Sequence, residues 1–408
     1  MQNSQLHAST VVEASSSTAD ILVISRVFPP AVGGIEEYAY NRCLQDPDRV
    51  IVLTSSCVGA GAFDQAQTFP VHRWPMPSFL RSAGKLGSLF KQLANMAWSF
   101  VMALQLYGRY RYRYIEWCHG YDFPALLLLS YVLPIRFFVY LHGNDVLCPA
   151  KNPLLRRLFE WTLSRAEGVA CNSSFTRNYL KDHFRCDTPT YVITPTVRPE
   201  KFGPRDLLEK APVLRAELRA KYNIPEAAVV ILSVGRLVRR KGFNRVIENL
   251  PTLLAQGLDV YYLICGRGPL EAELKTLASQ LGVKERVLFA GYVSDKQLAS
   301  YYAACDLFSM LTFFDAADKS IEGFGIVYLE AGYFAKPVIA SRVGGVEDAV
   351  HHHTTGLLVD PNDDEEITRT LLKLCTHHPL RERLGLDGQV LANRKTPHRI
   401  LYSDQIPT

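Results

Sequence analysis

The chain alternates short β-branched runs with longer helix-like stretches, and it does so in two successive cycles. No other feature restricts the fold as much, because a strand followed by a crossover helix must return to pair in parallel with a neighbouring strand. In the first cycle the strand-like runs fall at 20–25 (DILVIS), 49–54 (RVIVLT), 136–141 (RFFVYL), 168–171 and 190–194 (TYVIT). Helical stretches fall at 35–45, 86–107, 153–165 and 174–183. Residues 195–212 then read as Pro-containing loop, and a second cycle carries strands at 229–234, 259–264, 286–290, 305–310, 337–340 and 357–359. Both cycles open with a strand that runs into a Gly-bearing turn, at 21–34 and 229–242. The economical architecture is α/β, two doubly wound parallel-sheet domains facing each other across a cleft, with ligand at the carboxyl ends of the strands.

A length of 408 residues suits two domains better than one. The expected division is a disordered tail at 1–18, a first domain at 19–200, a second at 201–388 and a divergent or truncated tail at 389–408. With 48% hydrophobic and 21% charged residues, the composition excludes a disordered, collagen-like or multi-span membrane chain. The net charge of +5 is too mild to point to nucleic acid. Nine cysteines are scattered without any C-x-x-C, which argues against paired zinc ligands and for free, mostly buried thiols. Residues 1–18 lack the basic and apolar segments of a signal peptide, so a cytoplasmic location is expected. The apolar stretch 123–141 is interrupted by Pro134 and Arg136. It reads as a buried helix (124–133) followed by a buried strand, too short in its unbroken part for the ~20 residues that span a bilayer.

A parallel α/β chain invites a nucleotide reading. No G-x-x-x-x-G-K-[ST] is present, and the glycine pairs at 266–271 (GRGPLE) and 323–328 (GFGIVY) lack the third glycine of a dinucleotide loop. No G-x-S-x-G nucleophile elbow occurs either. Other elements carry the chemistry. In 233–243 (SVGRLVRRKGF) Arg236 and Lys241 lie five apart between a strand and a helix opening at Gly242. Cations at such a junction, beside helix-start amides, suit a diphosphate. In 321–333 (IEGFGIVYLEAGY) Glu322 and Glu330 lie eight positions apart. A helix starting near 325 would leave Glu322 in the preceding loop, with the amides of Phe324, Gly325 and Ile326 as helix-start donors. Glu330, flanked by Val327, Tyr328, Leu329 and Ala331, needs a buried partner. In 28–38 (FPPAVGGIEEY) two prolines stiffen the turn, and Gly33-Gly34 permits close approach of backbone to a ligand.

Together these motifs resemble glycosyltransferase family 4, the retaining, metal-independent group with the GT-B fold of two Rossmann-like domains. FPPAVGG, GRLVRRKG, GRGP at 266–269, the paired glutamates at 322 and 330, and SRVGGVEDAVHHHTTGLLVDP at 341–361 follow the family's order over roughly residues 20–365. EGFGIVYLEA is most similar to mannosyltransferases acting on phosphatidylinositol mannosides and to related bacterial polysaccharide enzymes. The resemblance implies a hexosyltransferase with a UDP- or GDP-sugar donor, a lipid-linked or glycan acceptor, and no cofactor or metal. It implies that Arg236 and Lys241 stabilise the departing diphosphate, that Gly34 approaches it from the other domain, and that Glu322 and the Phe324–Ile326 amides hold the sugar. Glu330 would bind ribose, the loop Gly291-Tyr292-Val293 would receive the base, and His142 in YLHGND would lie near the donor sugar. The alternative is a nucleotide-sugar-binding protein with lost transferase activity, which intact Arg236, Lys241, Glu322 and Glu330 disfavour.

Residues 73–114 hold seven basic residues and no acidic one, interleaved with Trp74, Phe79, Leu80, Leu86, Phe90, Trp98 and Phe100. Such a segment suits either a solvated helix face or docking to an anionic membrane surface, so peripheral attachment at the inner face of the plasma membrane is expected. The sequence after 385 lacks the aromatic-rich helix by which many relatives cross back onto the first domain. His351–His353 read as a surface turn and not as metal ligands.

Overall fold

The computed structural model describes residues 19–75, 85–147 and 149–394. The first sheet contains β1 (Ile21–Ser25), β2 (Val50–Ser55), β3 (Val71–Trp74), β4 (Tyr114–Trp117), β5 (Arg136–Leu141), β6 (Gly168–Cys171) and β7 (Thr190–Val192), in the order β3-β2-β1-β4-β5-β6-β7. The second contains β8 (Val229–Val234), β9 (Val260–Cys265), β10 (Val287–Gly291), β11 (Leu307–Met310), β12 (Val338–Ser341) and β13 (Gly356–Val359), in the order β10-β9-β8-β11-β12-β13. Every pairing within both sheets is parallel. Helices cover both faces of the first sheet, as doubly wound topology requires. Alternate residues of β1 show this directly: Leu22 and Ile24 pack into one apolar cluster, Ile21 and Val23 into another on the opposite face.

Two strands inside the first sheet were not expected from the sequence. β3 (VHRW) and β4 (YIEW) each hold a charge within four residues, which hides them from a hydrophobic-run reading. Glu116 of β4 is fully buried, and Arg42 of the helix Gly34–Cys43 meets its Oε1 at 2.8 Å. Arg73 of β3 pairs with Asp64. Burial removes Trp74, Tyr112 and Tyr114 from the basic, aromatic-bearing segment read at 73–114, since all three are core residues. The helix between them runs Lys85–Tyr110, and Phe90 and Trp98 on it are exposed while Phe100 packs partly against the core. Phe79, Leu80 and the side chain of Leu86 lie outside the described residues.

The stretch 123–141 forms the helix Phe123–Val132 and then β5, and no helix among the described residues is long and apolar enough to cross a membrane. The eight described cysteines are free thiols, six of them buried. At the far end, the chain stays helical beyond 389. The helix His378–Ala392 packs on the helix Ile326–Tyr333 so closely that a Cβ at Gly332 would stand 2.8 Å from the Gly388 carbonyl oxygen. Residues 395–408 of the expected tail, like 1–18, lie outside the described residues.

Candidate active site

In each sheet the chain winds outward in both directions from a central pair of strands, β1/β4 in the first and β8/β11 in the second. A crevice opens at the carboxyl ends of such a pair, where the loops diverge. The candidate residues belong to the loops that leave these four strands and their neighbours. The loop after β8 carries Arg236, Arg240 and Lys241, and the loop after β11 carries Glu322. Gly242 (φ 66°) joins them: a Cβ there would lie 1.9 Å from the Leu311 carbonyl oxygen, so only glycine lets the two loops pack at this distance.

This packing places Glu322 between two cations. Arg240 Nη1 and Lys241 Nζ each donate to its Oε2 at 2.6 Å, and the carboxylate is buried. Burial alone would raise its pKa. The charges and hydrogen bonds of Lys241 and Arg240 outweigh that and hold the group down at about 2. Desolvation pulls the Lys241 ammonium below the ordinary lysine value, with Arg240 and Arg236 adding to the effect and Glu322 opposing it. Arg240 was not among the residues expected from the sequence. The run Arg239-Arg240-Lys241 gives no basis for choosing among three neighbours, and only the short 3₁₀ turn they form leaves Arg239 exposed and turns the other two toward Glu322.

Arg236 is exposed at the mouth of a cavity of about 180 Å³ that it lines with Asn144, Val238, Arg240, Asp315, Asp318 and Ser320, so both halves of the chain contribute. The helix after Glu322 starts at Ile326, with Gly325 (φ 89°) as its cap. The amides of Phe324, Gly325 and Ile326 therefore stand at its amino end beside the Glu322 loop. Beyond the cation loop, Gly266 N–H donates to the Gly291 carbonyl at 2.7 Å, which ties the GRGP turn to the end of β10. Tyr292 is exposed there and Val293 is partly buried against the core.

Glu330 is buried in the fifth position of the helix Ile326–Tyr333. Its Oε1 accepts from Lys201 Nζ and its Oε2 from Tyr302 Oη at 2.9 Å. The partner that its apolar neighbours demanded is thus Lys201, in the Pro-containing connection between the two cycles, where the sequence offered no periodic signal. Burial works against the Lys201 ammonium, but Glu330, Glu37 and Asp295 raise its pKa above the ordinary value. Arg198, three residues earlier, donates from Nε and Nη2 to the two carboxylate oxygens of Glu37 at 3.0 and 3.2 Å.

On the first-half side the helix begins at Gly34, whose Cβ position is open. Glu36 folds back toward Gly33, and its carboxyl pKa is raised by burial, with its own backbone amide and the Arg236 charge opposing. His142, at the end of β5, is buried. Its Nε2 meets the Cys118 carbonyl at 3.1 Å, which makes that nitrogen the protonated one, and its ring stands edge-on to Tyr38 at 5.0 Å. Three further groups gather at the ends of β1 and β4. Arg26 chelates Asp122, and the nearby His119 is buried and pushed down to about 3, chiefly by desolvation. The sequence-derived residues therefore fall into a cation–carboxylate cluster (Arg236, Lys241, Glu322), a helix start (Phe324–Ile326), a buried hydrogen-bonded network around Glu330, and a group on the first-half side (Gly34, His142).

Two doubly wound parallel sheets whose strand ends carry these loops define the GT-B class of fold. Solved structures agree: Anabaena HepE in complex with UDP and glucose superposes with a TM-score of 0.71 at 21% identity, covering 92% of this chain and 94% of that one. Sucrose-phosphate synthase from Thermosynechococcus elongatus gives 0.72 at 21% identity over the same shares. The chain itself belongs to the glycosyltransferases of this type: residues 32–201 match the model of Glycosyltransferase Family 4 and residues 215–389 that of Glycosyl transferases group 1. It is 31% identical over 257 residues to a GDP-mannose-dependent alpha-(1-6)-phosphatidylinositol monomannoside mannosyltransferase of Mycobacterium tuberculosis, a match spanning 62% of this chain and 64% of the relative's length. A GDP-mannose-dependent monoacylated alpha-(1-6)-phosphatidylinositol monomannoside mannosyltransferase of Corynebacterium glutamicum is 27% identical over 92% of this chain and 93% of its own.

Proposed function

We propose that this chain is a retaining, metal-independent hexosyltransferase that moves a hexose from a UDP- or GDP-sugar to a lipid-linked or glycan acceptor in glycolipid or polysaccharide biosynthesis. The observation that carries the reading is the group Arg236, Arg240, Lys241 and Glu322 at the β8/β11 crevice. Transfer leaves a nucleoside diphosphate with growing negative charge. Preorganised cations facing it supply the stabilisation a metal ion gives elsewhere. Glu322, held ionised by Arg240 and Lys241, accepts hydrogen bonds from hydroxyls of the transferred sugar and fixes its orientation. The amides at 324–326 add donors at a helix start. His142, with its protonated nitrogen committed to the Cys118 carbonyl, presents the rest of its ring toward the sugar. Acceptor attack from the leaving-group side, with the departing phosphate taking the acceptor proton, retains configuration without a carboxylate nucleophile. Among donors GDP-mannose is favoured, and among acceptors an inositol-containing glycolipid, because both mycobacterial and corynebacterial relatives carry those words in their names.

Peripheral membrane attachment is part of the proposal, and what supports it is a face broader than the 73–114 segment. Nine of the twenty large apolar side chains exposed among the described residues lie on the helices Lys85–Tyr110, Phe123–Val132 and Pro153–Ser164, which pack side by side on the first sheet. Phe90, Trp98, Leu128, Tyr131, Leu154 and Trp161 are among them, bordered by exposed Arg156, Arg157 and Arg165. Apolar and aromatic groups rimmed by arginine fit an anionic bilayer interface.

The test is a thermal-shift screen with UDP, GDP, UDP-glucose, UDP-N-acetylglucosamine and GDP-mannose in chelator. A ligand at one hundred times its dissociation constant adds ~2.7 kcal/mol to stability. Proton NMR of the product's anomeric signal then reads the configuration. A stabilising nucleotide followed by transfer with retention supports the reading, and absence of any shift or an inverted product overturns it.

A further inference from the structure

The cavity that Arg236 and Arg240 line has two carboxylates on its wall as well, and holding a diphosphate gives them no role. Asp315 and Asp318 belong to the loop between β11 and Glu322. The loop is held in one shape. The backbones of Asp315 and Ser320 exchange hydrogen bonds at 2.9 and 3.1 Å, and the Phe313 amide donates to the Arg240 carbonyl at 2.9 Å. Asp315 Oδ1 accepts from the amides of Ala317 and Asp318 at 3.0 and 3.4 Å. Asp315 is only 5% exposed. Among the described residues its Oδ2 has no hydrogen-bond partner, and neither Asp315 nor Asp318 is in an ion pair. Lys319, next in the loop, is exposed and does not line the cavity. A buried carboxylate oxygen without a donor is costly, so this one calls for a ligand that brings protons to it.

We infer that Asp315 sets the sugar specificity of this cavity: its free carboxylate oxygen accepts a hydroxyl of the transferred hexose and, with Asp318, turns away a hexuronosyl group. The inference rests on the preceding reading of the site and names the class of sugar that the site takes. The cavity adjoins Glu322. Arg240 on its wall donates to Glu322 Oε2, and Asn144 on its wall accepts from the Ile321 amide at 2.8 Å, one residue before Glu322. A sugar oriented by Glu322 therefore extends into it. At about 180 Å³ it is smaller than the roughly 300–1,000 Å³ of sites for drug-sized ligands, so it takes one ring and not an oligosaccharide. The charges divide the work. Arg240 is committed to Glu322, and Arg236 lies in the field of Glu36 and, in the proposed function, against the diphosphate. The two aspartates are left without a countercharge of their own. An ionised carboxylate only accepts hydrogen bonds. A ring bearing hydroxyls satisfies it, whereas a uronic acid brings a like charge with no proton to offer.

Two donor pairs that differ only at the sugar's C6 test it: UDP-glucose against UDP-glucuronic acid, and GDP-mannose against GDP-mannuronic acid. Affinity by calorimetry and kcat/KM by nucleotide release are measured for the wild type, Asp315→Asn and Asp318→Asn. Asp315→Asn keeps an oxygen for the Ala317 and Asp318 amides and presents a neutral amide to the cavity. Free UDP or GDP affinity stays within about threefold of wild type, since the residues that meet the diphosphate are untouched. The wild type prefers the hexosyl donor of its base to the uronosyl partner by about 100-fold or more. Asp315→Asn narrows that ratio by about tenfold or more, by losing a hydrogen bond to a charged acceptor with the hexose and a like charge with the uronate. Asp318→Asn, whose side chain holds no bond of the loop, narrows it by about threefold and gives the same readout where Asp315→Asn does not fold. A wild type without this preference, or a ratio unchanged in both variants, overturns the inference even where hexosyl transfer upholds the functional reading. If the wild type binds these donors and transfers nothing, the functional reading fails, and the ratio of affinities still decides the role of Asp315. Binding of none of the four overturns both.

Discussion

Replacing Lys241 by methionine and Glu322 by glutamine removes opposite ends of one contact, and the two changes have unequal consequences. Glu322 Oε2 receives both Arg240 and Lys241 at 2.6 Å. Its pKa falls from 4.5 to about 2, a difference worth on the order of 3 kcal/mol of folding stability at neutral pH. Glu322→Gln forfeits that and leaves two little-exposed cations side by side without their anion, so a loss of about 3–5 kcal/mol is expected. Lys241 is different. Its pKa is lowered by desolvation, so its charge does not contribute net stability to the folded state at neutral pH. Lys241→Met keeps the stem's packing and leaves Glu322 paired with Arg240, so stability should change by no more than about 1 kcal/mol. Catalysis reverses the order of tolerance. A cation that stabilises the departing diphosphate contributes about 2.7–4 kcal/mol, so Lys241→Met should lower kcat by about 10²–10³-fold in a well-folded protein. Urea denaturation midpoints and steady-state nucleotide release measure the two quantities on the same preparations. Equal destabilisation by both substitutions, or wild-type turnover in Lys241→Met, would refute the reasoning.

Acid should find the same contact: because Glu322 titrates lower in the folded chain than in the unfolded one, its contribution is complete above about pH 4.5 and disappears as the pH falls toward 2. Glu322→Gln should therefore flatten the acid limb of stability measured by circular dichroism, and a limb identical to wild type would contradict the pairing. Lys201→Met leaves the buried Glu330 carboxylate with only Tyr302, so it should lose about 3 kcal/mol or more, while Lys201→Arg recovers part of it; stability insensitive to both changes would contradict the Lys201–Glu330 pairing. Glu36 sits within the field of Arg236, where the proposed function puts the diphosphate, so Glu36→Gln should tighten GDP or UDP several-fold in calorimetry, and weaker binding would show that the carboxylate helps instead of repelling. Trp161→Glu with Leu128→Glu should abolish flotation with anionic phospholipid vesicles while leaving nucleotide affinity unchanged, and retained flotation would move the membrane face elsewhere.

The apolar runs made most of the fold legible. Arg136–Leu141 and Val229–Val234 appear in the structure with the bounds read from sequence, because uninterrupted β-branched and aromatic residues bounded by turn residues suit strands buried on both faces. β4 was hidden for a definite reason. Glu116 stands in its middle, and only the helix packed above supplies Arg42 to neutralise it, a pairing between residues 74 positions apart. The site shows the same division. Glycines and cations next to strand ends marked the Arg236, Lys241 and Glu322 loops, since their local spacing carries the chemistry. Arg240 and Lys201 escaped because their partners are 82 and 129 residues away, and neither a basic run nor a Pro-containing connection states which charge faces inward. Gly143, Gly323 and Gly345 belong to this second kind, since each close approach is made by backbone from the other half or from another turn.

The cations at the β8/β11 crevice are proposed to recognise a diphosphate, and paired titrations measure this most directly. Calorimetry of GDP against GMP and of UDP against UMP, in chelator, isolates the second phosphate for the wild type and for Arg236→Ala. One charged hydrogen-bond pair contributes about 1.5–3 kcal/mol, so the wild type should prefer the diphosphate of its cognate base by about 10–100-fold, and Arg236→Ala should lose most of that preference. Equal affinity of the wild type for monophosphate and diphosphate would contradict the account.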